Sequence, residues 1–127
     1  MKNRPFRARL SFALEGLRAG WAREASFRTQ TCFAALAAVA LIVLRPAPVW
    51  WGLVAVTVAL VLALELLNSA LEAVIDLLHP GIHPAVKVAK DMLAGAVLAI
   101  SIAALAVGVA MVADTAPRFL AEIGLRR

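Results

Sequence analysis

At 127 residues the chain has room for one domain, and its composition, 63% apolar, 17% charged and +0.88 in mean hydropathy, lies well outside that of water-soluble proteins. The net charge of +5 does not point to nucleic acid, because Tyr is absent and only three Trp are available to stack on bases. Cys32 is the single cysteine, which excludes a disulfide framework; within its apolar run it reads as a small buried hydrophobe.

The basic residues are segregated. Seven of the thirteen Lys and Arg precede the first apolar run (Lys2, Arg4, Arg7, Arg9, Arg18, Arg23 and Arg28), and Lys87 and Lys90 lie between the second and third runs. Arg45, Arg118, Arg126 and Arg127 lie elsewhere. Basic excess marks the cytoplasmic side, so the N-terminus and second loop are expected inside and the C-terminus outside.

From Phe6 onward, Phe6, Leu10, Leu14, Leu17 and Trp21 recur at helical spacing, with Arg7, Ser11, Glu15 and Arg18 on the other side. This pattern predicts an amphipathic helix at the cytoplasmic interface within residues 1–28, its arginines available to anionic head groups. No early apolar core with a small-residue cleavage site follows, so the segment reads as part of the mature chain. Glu24 sits a turn or two before the first apolar run, where the chain turns into the bilayer.

Thr31 to Leu44 offers about 21 Å of apolar helix against a hydrocarbon layer near 30 Å, so this span, about 29–45, borrows length from its flanks. Arg45-Pro46-Ala47-Pro48 is a breaker turn, and Trp50 and Trp51 suit an outer interface belt. The second span, about 49–78, is free of charge until Leu64 and then reads ELLNSALEAVID. His79-Pro80-Gly81-Ile82-His83-Pro84 ends it. Lys87, Lys90 and Asp91 open the third helix, about 89–113, in which Met92 to Ala113 is long enough to cross and carries small residues for close helix contact. Residues 114–127 form a tail. The expected fold is all-α, with three membrane spans and an N-terminal surface helix.

Glu65, Asn68, Ser69, Glu72 and Asp76 fall at i, i+3, i+4, i+7 and i+11, which puts them on one helix face. A carboxylate in hydrocarbon costs roughly 2.5–3.5 kcal/mol on insertion scales, so three in one stripe call for a cation, a metal or a water-filled cleft. With Glu24, Lys90 and Asp91 at the same membrane face, the inventory is oxygen donors, an amide and an ammonium, without a Cys or His cluster. Such a set suits a hard ion such as Mg²⁺ bound beside phosphate, a lysine to neutralise phosphate oxygens, and a carboxylate to accept a hydroxyl proton. These are the parts of phosphoryl transfer. Neither GxxxxGK[ST] nor GxGxxG is present, so the nucleotide site is built differently from the common ones. The same stripe also fits helix-to-helix contact in a bundle without catalysis.

ELLNSALEAVID, followed by AKDMLAGAVL and preceded by GLRAGWAREASFR, resembles the prokaryotic diacylglycerol kinase family, which includes undecaprenol kinases; the likeness runs from about Phe6 to Ala113. The resemblance implies a homotrimeric membrane kinase of the bacterial inner membrane, with sites between subunits, that uses ATP and Mg²⁺ to phosphorylate a lipid hydroxyl. Carried onto this chain, it implies Glu65 as general base, Glu24 and Glu72 as metal ligands, and Asn68, Asp76, Lys90, Asp91 and His83 on the nucleotide side. Arg18, Trp21, Ser26, Phe27 and Gln30 would border the lipid. Two positions depart from the family: Phe12 stands where a tyrosine lies near the nucleotide, and Pro5 where an arginine is found. The substrate reading is diacylglycerol, giving phosphatidic acid; the alternatives are undecaprenol and a non-catalytic membrane assembly or lipid-binding subunit.

Overall fold

The structure, a computed structural model, describes residues 4–81 and 83–124. Among the described residues four helices follow one another: α1 (Phe6–Arg23), α2 (Ala25–Leu44), α3 (Pro48–Leu78) and α4 (Pro84–Gly124). The last three are long and apolar enough to cross a membrane. At 1.5 Å per residue α3 extends about 46 Å and α4 about 62 Å, so both outrun a hydrocarbon layer of about 30 Å. α4 continues beyond Ala113, and Asp114 to Gly124 of the expected tail is helical, with Pro117 inside the helix.

Inside each span the backbone satisfies itself, as hydrocarbon demands. The hydroxyls follow the same rule by bonding back one turn: Thr31 Oγ1 donates to the Phe27 carbonyl at 2.8 Å, Thr57 Oγ1 to that of Leu53 at 2.9 Å, and Ser101 Oγ to that of Val97 at 2.8 Å. The α2–α3 turn is closed by Arg45, whose left-handed backbone (φ 47°, ψ 55°) lets its N–H reach the Leu41 carbonyl at 3.0 Å. Pro48 then starts α3, where a missing N–H leaves no intrahelical bond unmade.

α3 and α4 share the most extensive contact. The core lies towards the Trp50 end, where Leu41, Val54 and Met111, one from each span, meet among Ala37, Ala40, Leu44, Val58 and Val107. There the Trp50 indole N–H donates to Asp114 Oδ2 at 3.0 Å and fixes the level of α3 against α4. Beside this core the spans leave an apolar groove of about 810 Å³ that runs from Gln30 and Phe33 past Val61 and Leu105 to Met111 and Ala113. Cys32 is exposed rather than buried, because its side of α2 meets no other helix of the chain. Leu10, Leu14, Leu17 and Trp21, the apolar stripe of α1, are exposed as well.

α1 joins the bundle through one close approach. Gly20 is buried, and a Cβ there would lie 2.5 Å from Leu66 Cδ2 and 3.5 Å from Phe27 Cδ1. Nothing lies within 4 Å of a Cβ at Gly16. The Gly20→Val variant is expected to destabilise by about 1–3 kcal/mol through overpacking and to lift α1 from α3. Gly16→Ala should stabilise α1 by about 0.5–1 kcal/mol. Denaturation in detergent, with tryptic cleavage at Arg23 as the reporter of lifting, checks both; indistinguishable variants would remove the role assigned to Gly20.

Candidate active site

The site starts at an elbow of one residue. Glu24 is the only residue between α1 and α2, and its extended backbone (φ −106°, ψ 112°) makes the corner. Its N–H closes α1 on the Gly20 carbonyl at 2.9 Å, and its own carbonyl accepts from Arg28 N at 3.2 Å to open α2. The Arg28 guanidinium turns back and donates to the Trp21 carbonyl at 3.0 Å, satisfying an acceptor left open at the end of α1. Glu24 is therefore held by backbone bonds on both sides, and its carboxylate remains available. Phe27 is buried inside the elbow against Gly20, whereas Arg18, Trp21 and Ser26 are exposed around it and Gln30 lines the groove.

The stripe on α3 passes from dry to wet. Glu65 is only 4% exposed, Asn68, Ser69 and Glu72 are half-buried, and the Asp76 side chain is 63% exposed. Ser69 spends its hydroxyl on the Glu65 carbonyl at 3.0 Å, so it leaves the Glu65 carboxylate alone. Asn68 Nδ2 donates to Glu72 Oε1 at 3.4 Å, and Asn68 Oδ1 is buried without a partner among the described residues. One amide thus orients the half-buried carboxylate and points a free acceptor into the same region.

Across the loop, α4 brings its charges to the wet end of this stripe. Lys90 Nζ donates to Asp76 Oδ1 at 2.5 Å, tying the end of α3 to the start of α4. One turn earlier, Lys87 Nζ holds Asp91 Oδ2 at 2.6 Å. His83 caps α4: its Nδ1 accepts from Ala85 N at 3.2 Å, which leaves the ring proton on Nε2, free to donate. Phe12 and Pro5, the two positions that depart from the family pattern, are both exposed on or beside α1.

Oxygen donors from Glu72, Glu24 and Asn68 are chemically suited to Mg²⁺, which takes one or two carboxylates and completes its shell with water and phosphate. Among the described residues no three carboxylate, imidazole or thiol groups converge as a cage. The donor types, with the unpartnered Asn68 Oδ1 beside Glu72, suit an ion of that kind.

Three features escaped sequence reasoning. The Asp76–Lys90 pair depends on how the His79–His83 loop returns the chain, although opposite charges flanking a proline-glycine turn hinted at it. Lys87–Asp91 was available as an i, i+4 pair. Gly20 gave no signal, since its role comes from Leu66, far along the chain. Because Asp76 is largely exposed and Lys90 about one-third exposed, their pair should contribute at most about 1 kcal/mol. A double-mutant cycle of Asp76→Asn and Lys90→Gln, read by unfolding in detergent, should give a coupling in that range; several kcal/mol would show a clamp on which the fold depends.

Residues 11–112 match the prokaryotic diacylglycerol kinase family. Among curated proteins, the chain is 42% identical over 100 residues to a diacylglycerol kinase of Synechocystis, a match that covers 76% of this chain and 56% of that protein. Over 87 residues it is 39% identical to the diacylglycerol kinase of Escherichia coli K12, covering 68% and 71% of the two chains, and over 89 residues 35% identical to that of Helicobacter pylori J99, covering 70% of each. The matched region holds the elbow, the whole carboxylate stripe and the lysine-aspartate pair of α4. On this evidence the chain belongs to the prokaryotic diacylglycerol kinase family.

Proposed function

We propose that the chain is an ATP- and Mg²⁺-dependent lipid kinase that transfers the γ-phosphate to the hydroxyl of diacylglycerol, giving phosphatidic acid, at the cytoplasmic face of a bacterial inner membrane. The observation that carries this reading is the burial gradient on α3, from a dry Glu65 at the hydrocarbon edge to a solvated Asp76 beside Lys90. A lipid hydroxyl arrives from the bilayer and a triphosphate from water. The gradient offers each its own end of one helix face.

In this reading Glu65 accepts the proton of the lipid hydroxyl. The oxygen forms a bond to the γ-phosphorus as the bond from that phosphorus to the β,γ-bridging oxygen breaks, and ADP leaves. Glu65 is suited to this role because neither Ser69 nor Asn68 occupies its carboxylate. Glu24 and Glu72 would hold Mg²⁺, which supplies neutralisation of the β- and γ-phosphate oxygens when bound. Asn68 fixes Glu72 for that purpose. Lys90 releases Asp76 to meet a phosphate, which such a solvated pair permits at little cost. Asp91 and the His83 Nε2–H lie on the nucleotide side, and Arg18, Trp21, Ser26, Phe27 and Gln30 border the lipid around the elbow. Three copies complete the sites between subunits. The exposed apolar faces of the spans leave surface for that assembly as well as for lipid.

The direct test offers diacylglycerol and undecaprenol separately, in mixed micelles with ATP and Mg²⁺, and follows labelled phosphate. Diacylglycerol should be phosphorylated in preference. Faster transfer to undecaprenol would move the chain to the family's other branch, and transfer to neither by folded protein would leave the stripe a packing feature. Glu72→Ala should raise the Mg²⁺ concentration for half-maximal activity by about tenfold or more; an unchanged titration would remove Glu72 from the metal.

A further inference from the structure

The bond between the Trp50 indole and Asp114 sets a level at which α2, its turn and α3 all end. Only α4 goes on. From Asp114 to Gly124 it rises about 15 Å further, whereas the head-group region adds roughly 5–8 Å to each side of the hydrocarbon. This extension lies beyond residue 112, where the match to the family ends.

Its sequence, DTAPRFLAEIG, divides into two faces. At 100° per residue, Ala116, Phe119, Leu120 and Ile123 fall within one arc, and Asp114, Arg118 and Glu122 within the opposite one. Arg118 pairs with Asp114 along the polar arc at 3.5 Å. Phe119 is half-buried, but Leu120 and Ile123 are 60% and 49% exposed. An upright extension would hold this apolar arc in water above the head groups. Pro117 offers the alternative: lacking an N–H, it leaves the Ala113 carbonyl without its helical donor and makes this the turn at which α4 bends most readily.

We propose that residues 114–124 are an interfacial anchor, bent at Pro117 so that Phe119, Leu120 and Ile123 enter the head-group boundary on the membrane face opposite the carboxylate stripe. The occupant of the apolar arc is the bilayer that the chain itself spans, because the segment leaves the hydrocarbon at its own root and its polar and apolar faces are separated as an in-plane helix requires. Bending also brings the Arg118 cation to the depth of anionic head groups.

The test uses full-length Cys32→Ala protein in phosphatidylethanolamine–phosphatidylglycerol vesicles. Single nitroxides are attached at Arg118→Cys, Leu120→Cys, Glu122→Cys and Ile123→Cys, each variant first shown to be monodisperse. Labels at 120 and 123 should collide with oxygen several-fold more, relative to a water-soluble nickel chelate, than labels at 118 and 122. Equal, water-like ratios at all four positions would overturn the proposal, as would spin–spin broadening at 120 and 123 that assigns the arc to contact between copies.

Discussion

A carboxylate that is almost wholly removed from solvent, on a helix long and apolar enough to cross a membrane, is the constraint to which much of this structure answers. Glu65 is buried by the chain itself, yet among the described residues no donor occupies its carboxylate: Ser69 bonds to backbone, and Asn68 turns its amide to Glu72. An isolated charge in that position is costly without a partner. Gly20 brings α1 against Leu66, next to Glu65, and the loop that returns α4 brings Lys90 to Asp76 at the exposed end of the same helix.

The second constraint is apolar surface. The interior of the single chain is small, centred on Leu41, Val54 and Met111, while Val39, Ile42, Leu98 and Ile102 face outward. In water such a surface would drive aggregation; in a bilayer it costs nothing against lipid tails and is available for helix packing. The groove between the spans has the same character, because the Thr57 and Ser101 hydroxyls on its wall are consumed by their own backbone. Apart from Gln30 at one end of the groove, the polar side chains Glu65, Glu72 and Lys90 gather instead on the later turns of α3 and the first turns of α4.

Much of this was legible in the sequence because it rests on helical periodicity and on length. The register of Glu65, Asn68, Glu72 and Asp76 follows from 3.6 residues per turn once Val49 to Leu64 commits α3 to a helix. The spans follow from the length of apolar runs. Other features are tertiary. The turn at Glu24 is expected from its place before the first apolar run, but the contact of Gly20 with Leu66 beside it is not. Pro117 looked like part of a tail, yet a proline removes one donor and the helix continues through it. Cys32, an apolar-run residue that reads as buried, is exposed because burial in a membrane protein is decided by neighbouring helices, and none covers that side of α2.

The account stands on Glu65 as the group that takes the proton, and its isosteric replacement measures this most directly. Glu65→Gln keeps shape and burial while removing basicity. With ATP and Mg²⁺ saturating, turnover of diacylglycerol should fall by about 10²–10⁴-fold, with the size-exclusion profile unchanged and KM for ATP little changed. An assembled Glu65→Gln protein that turns over at the wild-type rate would contradict the account and return the stripe on α3 to a role in packing alone.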